Sequence, residues 1–179
     1  NSFAFLTGWS PEAKPLFASR WMSYLGITGI YSPFTLEANY NADVPAYMIP
    51  FTVCHELAHL RGFMREDEAN FIAYLACRAS DEAALRYSGA AMALTYALNA
   101  LAEHADAAAY AAAWAALPQG LRDDYAAAGA YWEAFAGEVS KASDRMNDAY
   151  LRANAQRDGV QSYGRMVDLL LAECRDRLS

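Results

Sequence analysis

The chain divides into two patterning regimes near residue 48. Upstream, Gly26 to Pro45 (GITGIYSPFTLEANYNADVP) is rich in β-branched and aromatic residues broken by Gly, Pro and Asn. That predicts one or two short strands and a loop. Pro33 has no N–H to give to a ladder, so a strand ending there is an edge strand. Residues 1–15 carry turn signals, with two prolines and a glycine in TGWSPEAKP. Leu16 to Leu25 reads as a short helix or an irregular apolar segment.

Downstream the period becomes helical. Pro50 suits the first position of a helix over Phe51 to Leu60, and Gly62 is placed to end it. A second helix is expected from Arg65 to Ala79, where Phe71, Tyr74, Leu75 and Cys77 recur at helical spacing. Ser80 is the expected N-cap of a third helix reaching Glu103, with Asp81 and Glu82 in its first turn. DAAAYAAAWAAL forms a fourth, stopped at Pro118 and Gly120. Leu121 to Asn154 is a long helical stretch with breaks expected near Gly129 or Gly137. DGV at 158–160 is a turn, and Ser162 to Leu178 is a last helix. The expected fold is therefore mainly α (α+β), with a small strand element ahead of the long helices.

At 179 residues the chain is long enough for one domain with a core, taken as residues 1–179. A formal net charge of -7 without clustered basic residues argues against a nucleic-acid partner. No apolar run reaches about 18 residues, so this stretch does not span a bilayer. The start, NSFAFLTGW, has no methionine and is expected to belong to a longer protein. The three cysteines, Cys54, Cys77 and Cys174, are too few for a disulfide framework. Cys54 and Cys77 sit among apolar residues and read as small core side chains.

The chemistry concentrates in VCHELAHLRGFMREDEANFIAYLAC, Val53 to Cys77. On a helix, His55 and His59 lie one turn apart on the same face, and their imidazoles can converge on one ion. Glu56 lies about 100° round from His55, beside the ion and not on it, where it can take a proton from an activated water. This is the H-E-x-x-H arrangement of zinc hydrolases. A catalytic zinc has three protein ligands and an open position. The metzincin continuation fails at Arg65, which cannot ligate. His104 reads as a surface residue at a helix end. Glu66, Asp67 and Glu68 remain. If the first helix ran on, Glu66 would lie about 10.5 Å further along its axis, so the chain must turn back, and Gly62 is able to turn it.

Glu66-Asp67-Glu68-Ala69-Asn70 resembles the ExxA(D/N) motif of gluzincin metallopeptidases. That resemblance implies Glu66 as third ligand, with Glu68 as competitor because the gap between the motifs is short. It implies Asn70 as a hydrogen-bond partner of a ligand histidine. GIYSPFTLEANYN, IPFTVCHELAHLRGF, EDEANFIAYLAC and DAYLRANAQRDGVQSYGRMVDLL together resemble a bacterial family of membrane-anchored zinc metallopeptidases, known as a domain of unknown function. The resemblance implies a zincin-like fold, Zn²⁺ and a peptide or protein substrate. It also implies a membrane anchor outside this segment, with the domain on the extracytoplasmic side. It gives Gly29, Ile30 and Tyr31 a role as a substrate-binding edge strand. Tyr163 is the candidate for stabilising the oxyanion, ahead of Arg165.

The expected function is zinc-dependent peptide-bond hydrolysis with Glu56 as general base. The alternative is a catalytically inactive or structural metal site in a module that binds a partner peptide near the membrane. A fourth protein ligand would favour that alternative.

Overall fold

The computed structural model describes residues 11–137 and 163–178. It is mainly helical, with one small sheet packed on the first long helix. Strand β1 (Lys14–Pro15) is followed by helix α1 (Ser19–Tyr24), then strands β2 (Gly29–Ser32) and β3 (Glu37–Tyr40). The strand order is β1-β3-β2, so β2 is an edge, in keeping with Pro33 directly after it. β2 and β3 pair antiparallel, with Gly29 opposite Tyr40 and Tyr31 opposite Ala38. β1 pairs parallel to β3. The proline and glycine of the first fifteen residues conceal that strand, and Pro15 is tolerated because β1 lies at the other edge.

The helices are α2 (Ile49–Leu60), α3 (Glu66–Ala79), α4 (Ala83–His104), α5 (Ala107–Ala115), α6 (Gln119–Phe135) and α7 (Tyr163–Leu178). α2 begins with Pro50 in its first turn. One of its unpaired first-turn donors, Phe51 N–H, is satisfied by the buried hydroxyl of Ser88 on α4 at 3.0 Å. Two expectations need correction. Ser80 closes α3 instead of opening α4, and its hydroxyl accepts from Glu82 N–H at 3.1 Å. α5 ends at Ala115, ahead of Pro118 as expected, but Gly120 lies within the first turn of α6, whose N-cap is Pro118. Of the two breaks expected after Leu121, the one near Gly137 is present: α6 runs through Gly129 and ends at Phe135.

Small side chains let α2, α3 and α4 approach closely. Ala58 on α2 and Ala69 and Ala73 on α3 are buried. Cys77 is buried and its Sγ lies 3.6 Å from that of Cys54, both as free thiols. α7 packs across α3 and α4, with Met166 fully buried and an Arg78–Glu173 ion pair at the seam. No helix among the described residues is long and apolar enough to cross a membrane.

The α2–α3 reversal is a Schellman motif. Gly62 takes φ of +93°. Its N–H donates to His59 C=O at 2.9 Å, and Phe63 N–H donates to Ala58 C=O at 3.1 Å. Phe63 then packs against the Ala58, Ala69 and Ile72 cluster. A Cβ on Gly62 would meet nothing within 4 Å, so the cost of a side chain there is purely conformational. Gly62→Ala should lower stability by about 1–2 kcal/mol, the cost of a left-handed L-residue. Urea denaturation would read this, and an unchanged midpoint would contradict the account.

Candidate metal centre

The reversal places the head of α3 beside the His55–His59 face of α2. Glu66 Oε2 lies 3.2 Å from His55 Nε2, and Glu66 Oε1 lies 3.5 Å from His59 Nε2. These separations exceed the roughly 2.7–2.9 Å of a charge-assisted hydrogen bond. They match the spacing of about 3.3–3.4 Å between ligand atoms of a tetrahedral ion with bonds near 2.0–2.1 Å. His55, His59 and Glu66 thus form a group that could hold a metal ion, with donor atoms all within 4.8 Å of one another. Two imidazoles and a carboxylate are also a donor set that zinc accepts.

The neighbouring acids are engaged elsewhere. Asp67, 4% exposed, pairs with Arg65 through both carboxylate oxygens, at 2.8 and 3.2 Å. Glu68 also faces Arg65, at 3.4 Å. So Glu66, and not Glu68, meets the histidines. The arginine that breaks the metzincin pattern keeps its two acidic neighbours off the site. All three acids also sit in the first turn of α3, where the helix dipole favours negative charge.

The imidazoles are held differently. His59 Nδ1 lies 2.8 Å from the Phe63 carbonyl, so the same turn that reverses the chain fixes that ring and leaves Nε2 facing Glu66. His55 Nδ1 is buried without a hydrogen-bond partner among the described residues. Its ring is positioned by edge-on packing against His59, with centroids 4.5 Å apart at 87°. Asn70 is buried and lines the same small cavity as His55 and Glu66. The hydrogen-bond contact on His59 Nδ1 comes from Phe63.

Glu56 is 5% exposed. Burial, partly offset by His55 and His59, pushes its carboxyl up to about 7. Burial also raises Glu66, but the two histidines outweigh it and hold that carboxyl below the usual range. Against His59, burial disfavours the charge, and Glu66 reverses the balance upward.

β2 closes the other side. A Cβ on Gly29 would stand 2.4 Å from Glu56 Oε1, so a side chain here requires Glu56 or the strand to shift. The Tyr31 ring lies 6.4 Å from that of His59. Ile30, between them, alternates to the opposite face and is 47% exposed. Asn41 N–H donates to Thr28 C=O at 2.8 Å, which makes Thr28 and Asn41 a hydrogen-bonded pair. By antiparallel alternation, the N–H and C=O of Gly29 and Tyr31 then point to the free edge. No strand pairs with that edge among the described residues.

Two further candidates stand on α4 and α7. His104 is exposed at the end of α4. Tyr163 begins α7, and its side chain lies outside the described residues. Sequence reasoning missed the Phe63 carbonyl, although an apolar residue directly after the Gly62 stop is the signal of a Schellman motif. It also missed Met92 and Tyr96 of α4, which reach the site by long-range packing that no local pattern announces.

The whole of this arrangement falls within one family match. The chain belongs to the family described as "Protein of unknown function (DUF3810)", whose model matches residues 1–171. No curated protein and no solved structure matches it. The family description names no activity, so a functional reading rests on the residues.

Because Gly29 abuts Glu56, Gly29→Ala should force the strand or the carboxylate to move. The expected loss is about 1–3 kcal/mol, as for other overpacked sites. Thermal or urea unfolding would measure it, and wild-type stability would contradict the contact.

Proposed function

We propose that this chain is a zinc-dependent hydrolase of gluzincin type that cleaves peptide bonds. The observation that supports it most is a three-donor group, His55, His59 and Glu66, beside a buried carboxylate on Glu56 that the group does not include. A structural zinc site uses four protein ligands and has no need of a base. Among the described residues the group has three donors, which favours catalysis over the alternative of a closed site.

When bound, the ion would supply Lewis-acid polarisation and acidify water. The chain's own residues supply the rest. Glu56 accepts a proton from the attacking water at its carboxylate and returns it to the leaving amine. Glu56 is buried beside the three donors without being one of them, which leaves its carboxylate for this proton. The free N–H and C=O groups of Gly29 and Tyr31 would take an extended peptide as an added strand, orienting its carbonyl toward the donor group. His59 stays aligned through the Phe63 carbonyl. Tyr163 is the proposed donor to the developing oxyanion. We also propose that the domain is tethered to a bacterial membrane on its outer side. That part rests on the sequence resemblance.

Glu56→Gln keeps the volume and removes the base. Hydrolysis of reduced, alkylated casein by the zinc-loaded protein should fall by about 10²–10⁴-fold. Zinc content should stay at the wild-type level. Turnover at the wild-type rate would overturn the role of Glu56.

A further inference from the structure

A small cavity opens on the α4 side of the donor group. It has a volume of about 120 Å³. His55 and Glu66 form one part of its lining, and Phe51 of α2 with Met92 and Tyr96 of α4 form another. Phe51 is buried, and Met92 and Tyr96 pack against the cluster to which it belongs. Met92 and Tyr96 are four residues apart, so they present one face of α4 to this space. The cavity therefore joins an apolar wall to two of the candidate metal-site donors; Thr28, Thr52 and Asn70 complete its lining, and neither Glu56 nor His59 lines it.

We infer that this cavity receives one aliphatic side chain of the substrate, of valine to leucine size, next to the bond that is cut; the inference rests on the peptidase reading above. Volume sets the upper limit. An apolar cavity of about 150 Å³ takes up benzene. A benzyl side chain is larger than benzene and this cavity is smaller, so a phenylalanine side chain would stand partly outside it. An isopropyl or isobutyl group is within its capacity. The lining sets the chemistry. An acidic side chain would be repelled by the carboxylate of Glu66. Any charged group would lose its water against Phe51 and Met92 without a free counter-charge, since Glu66 faces the two histidines. An aliphatic group gains from apolar contact in proportion to the area covered.

Met92 is the size-setting wall, because it lines the cavity from α4 and is not one of the three donors. The test uses three succinyl hydroxamates that differ only in one branch: methyl, isobutyl or benzyl. The hydroxamate would fix each ligand at the ion and carry the branch beside it. Affinity is measured by calorimetry on the zinc-loaded 179-residue chain, with the Met92 methyl resonance followed by NMR. Zinc loading is checked separately by plasma mass spectrometry. The isobutyl compound should bind at least about tenfold tighter than the methyl compound, and tighter than the benzyl one. It should also shift the Met92 methyl signal. Met92→Ala should erase or reverse the preference for isobutyl over benzyl, whereas Met92→Leu, which conserves volume, should keep it. Equal affinities in zinc-loaded protein, or an unmoved Met92 signal, would overturn the subsite and leave the hydrolase reading standing. Failure to load zinc would overturn the hydrolase reading, and the subsite with it.

Discussion

Everything at this site depends on one turn. A straight helix would carry Glu66 about 10.5 Å past His59, beyond reach of a shared ion. The left-handed Gly62 reverses the chain, and the Schellman hydrogen bonds to Ala58 and His59 set the angle at which α3 returns. The same turn supplies the Phe63 carbonyl that fixes the His59 ring, and the Phe63 side chain that seals α2 against α3. Ala58, Ala69 and Ala73 keep the helices close enough for Glu66 to meet both imidazoles. One backbone conformation thus couples the reversal, the packing and the orientation of a donor.

The electrostatics are unbalanced in a way that suits a cation. Two carboxylates, Glu56 and Glu66, and two imidazoles are gathered on the α2–α3 face. Buried charge is costly unless it is compensated. Arg65, the nearest cation in sequence, is turned away toward Asp67 and Glu68. On the proposed reading a divalent ion supplies the compensation, and its binding free energy adds to the stability of the fold. Gly29 is the sterically exacting element: it lets an edge strand lie directly against Glu56, which shields that carboxylate and, on the proposed reading, sets a peptide-binding edge beside it.

Much of this was legible in the sequence. The histidine pair, the acid between them and the need for a turn at Gly62 follow from helical geometry alone. The choice of Glu66 over Glu68 came from resemblance, and the physical reason lies in Arg65, whose pairing requires three-dimensional placement. β2 and β3 were readable from their composition. β1 was not, because a two-residue strand next to a proline carries no periodic signal. Ser80 misled because a serine followed by two acids looks like a helix start, while here it closes the preceding helix. The α4 wall of the cavity was invisible, since Met92 and Tyr96 look like any core pair at helical spacing.

The central claim is that His55, His59 and Glu66 together bind one ion. The most direct test is metal content by plasma mass spectrometry on wild type, Glu66→Ala and Glu68→Ala, each after zinc is added back at neutral pH. The account predicts one zinc per chain in wild type and in Glu68→Ala, and its loss in Glu66→Ala. A wild-type protein that takes up no zinc, or a Glu66→Ala variant that keeps it while Glu68→Ala loses it, would contradict the account.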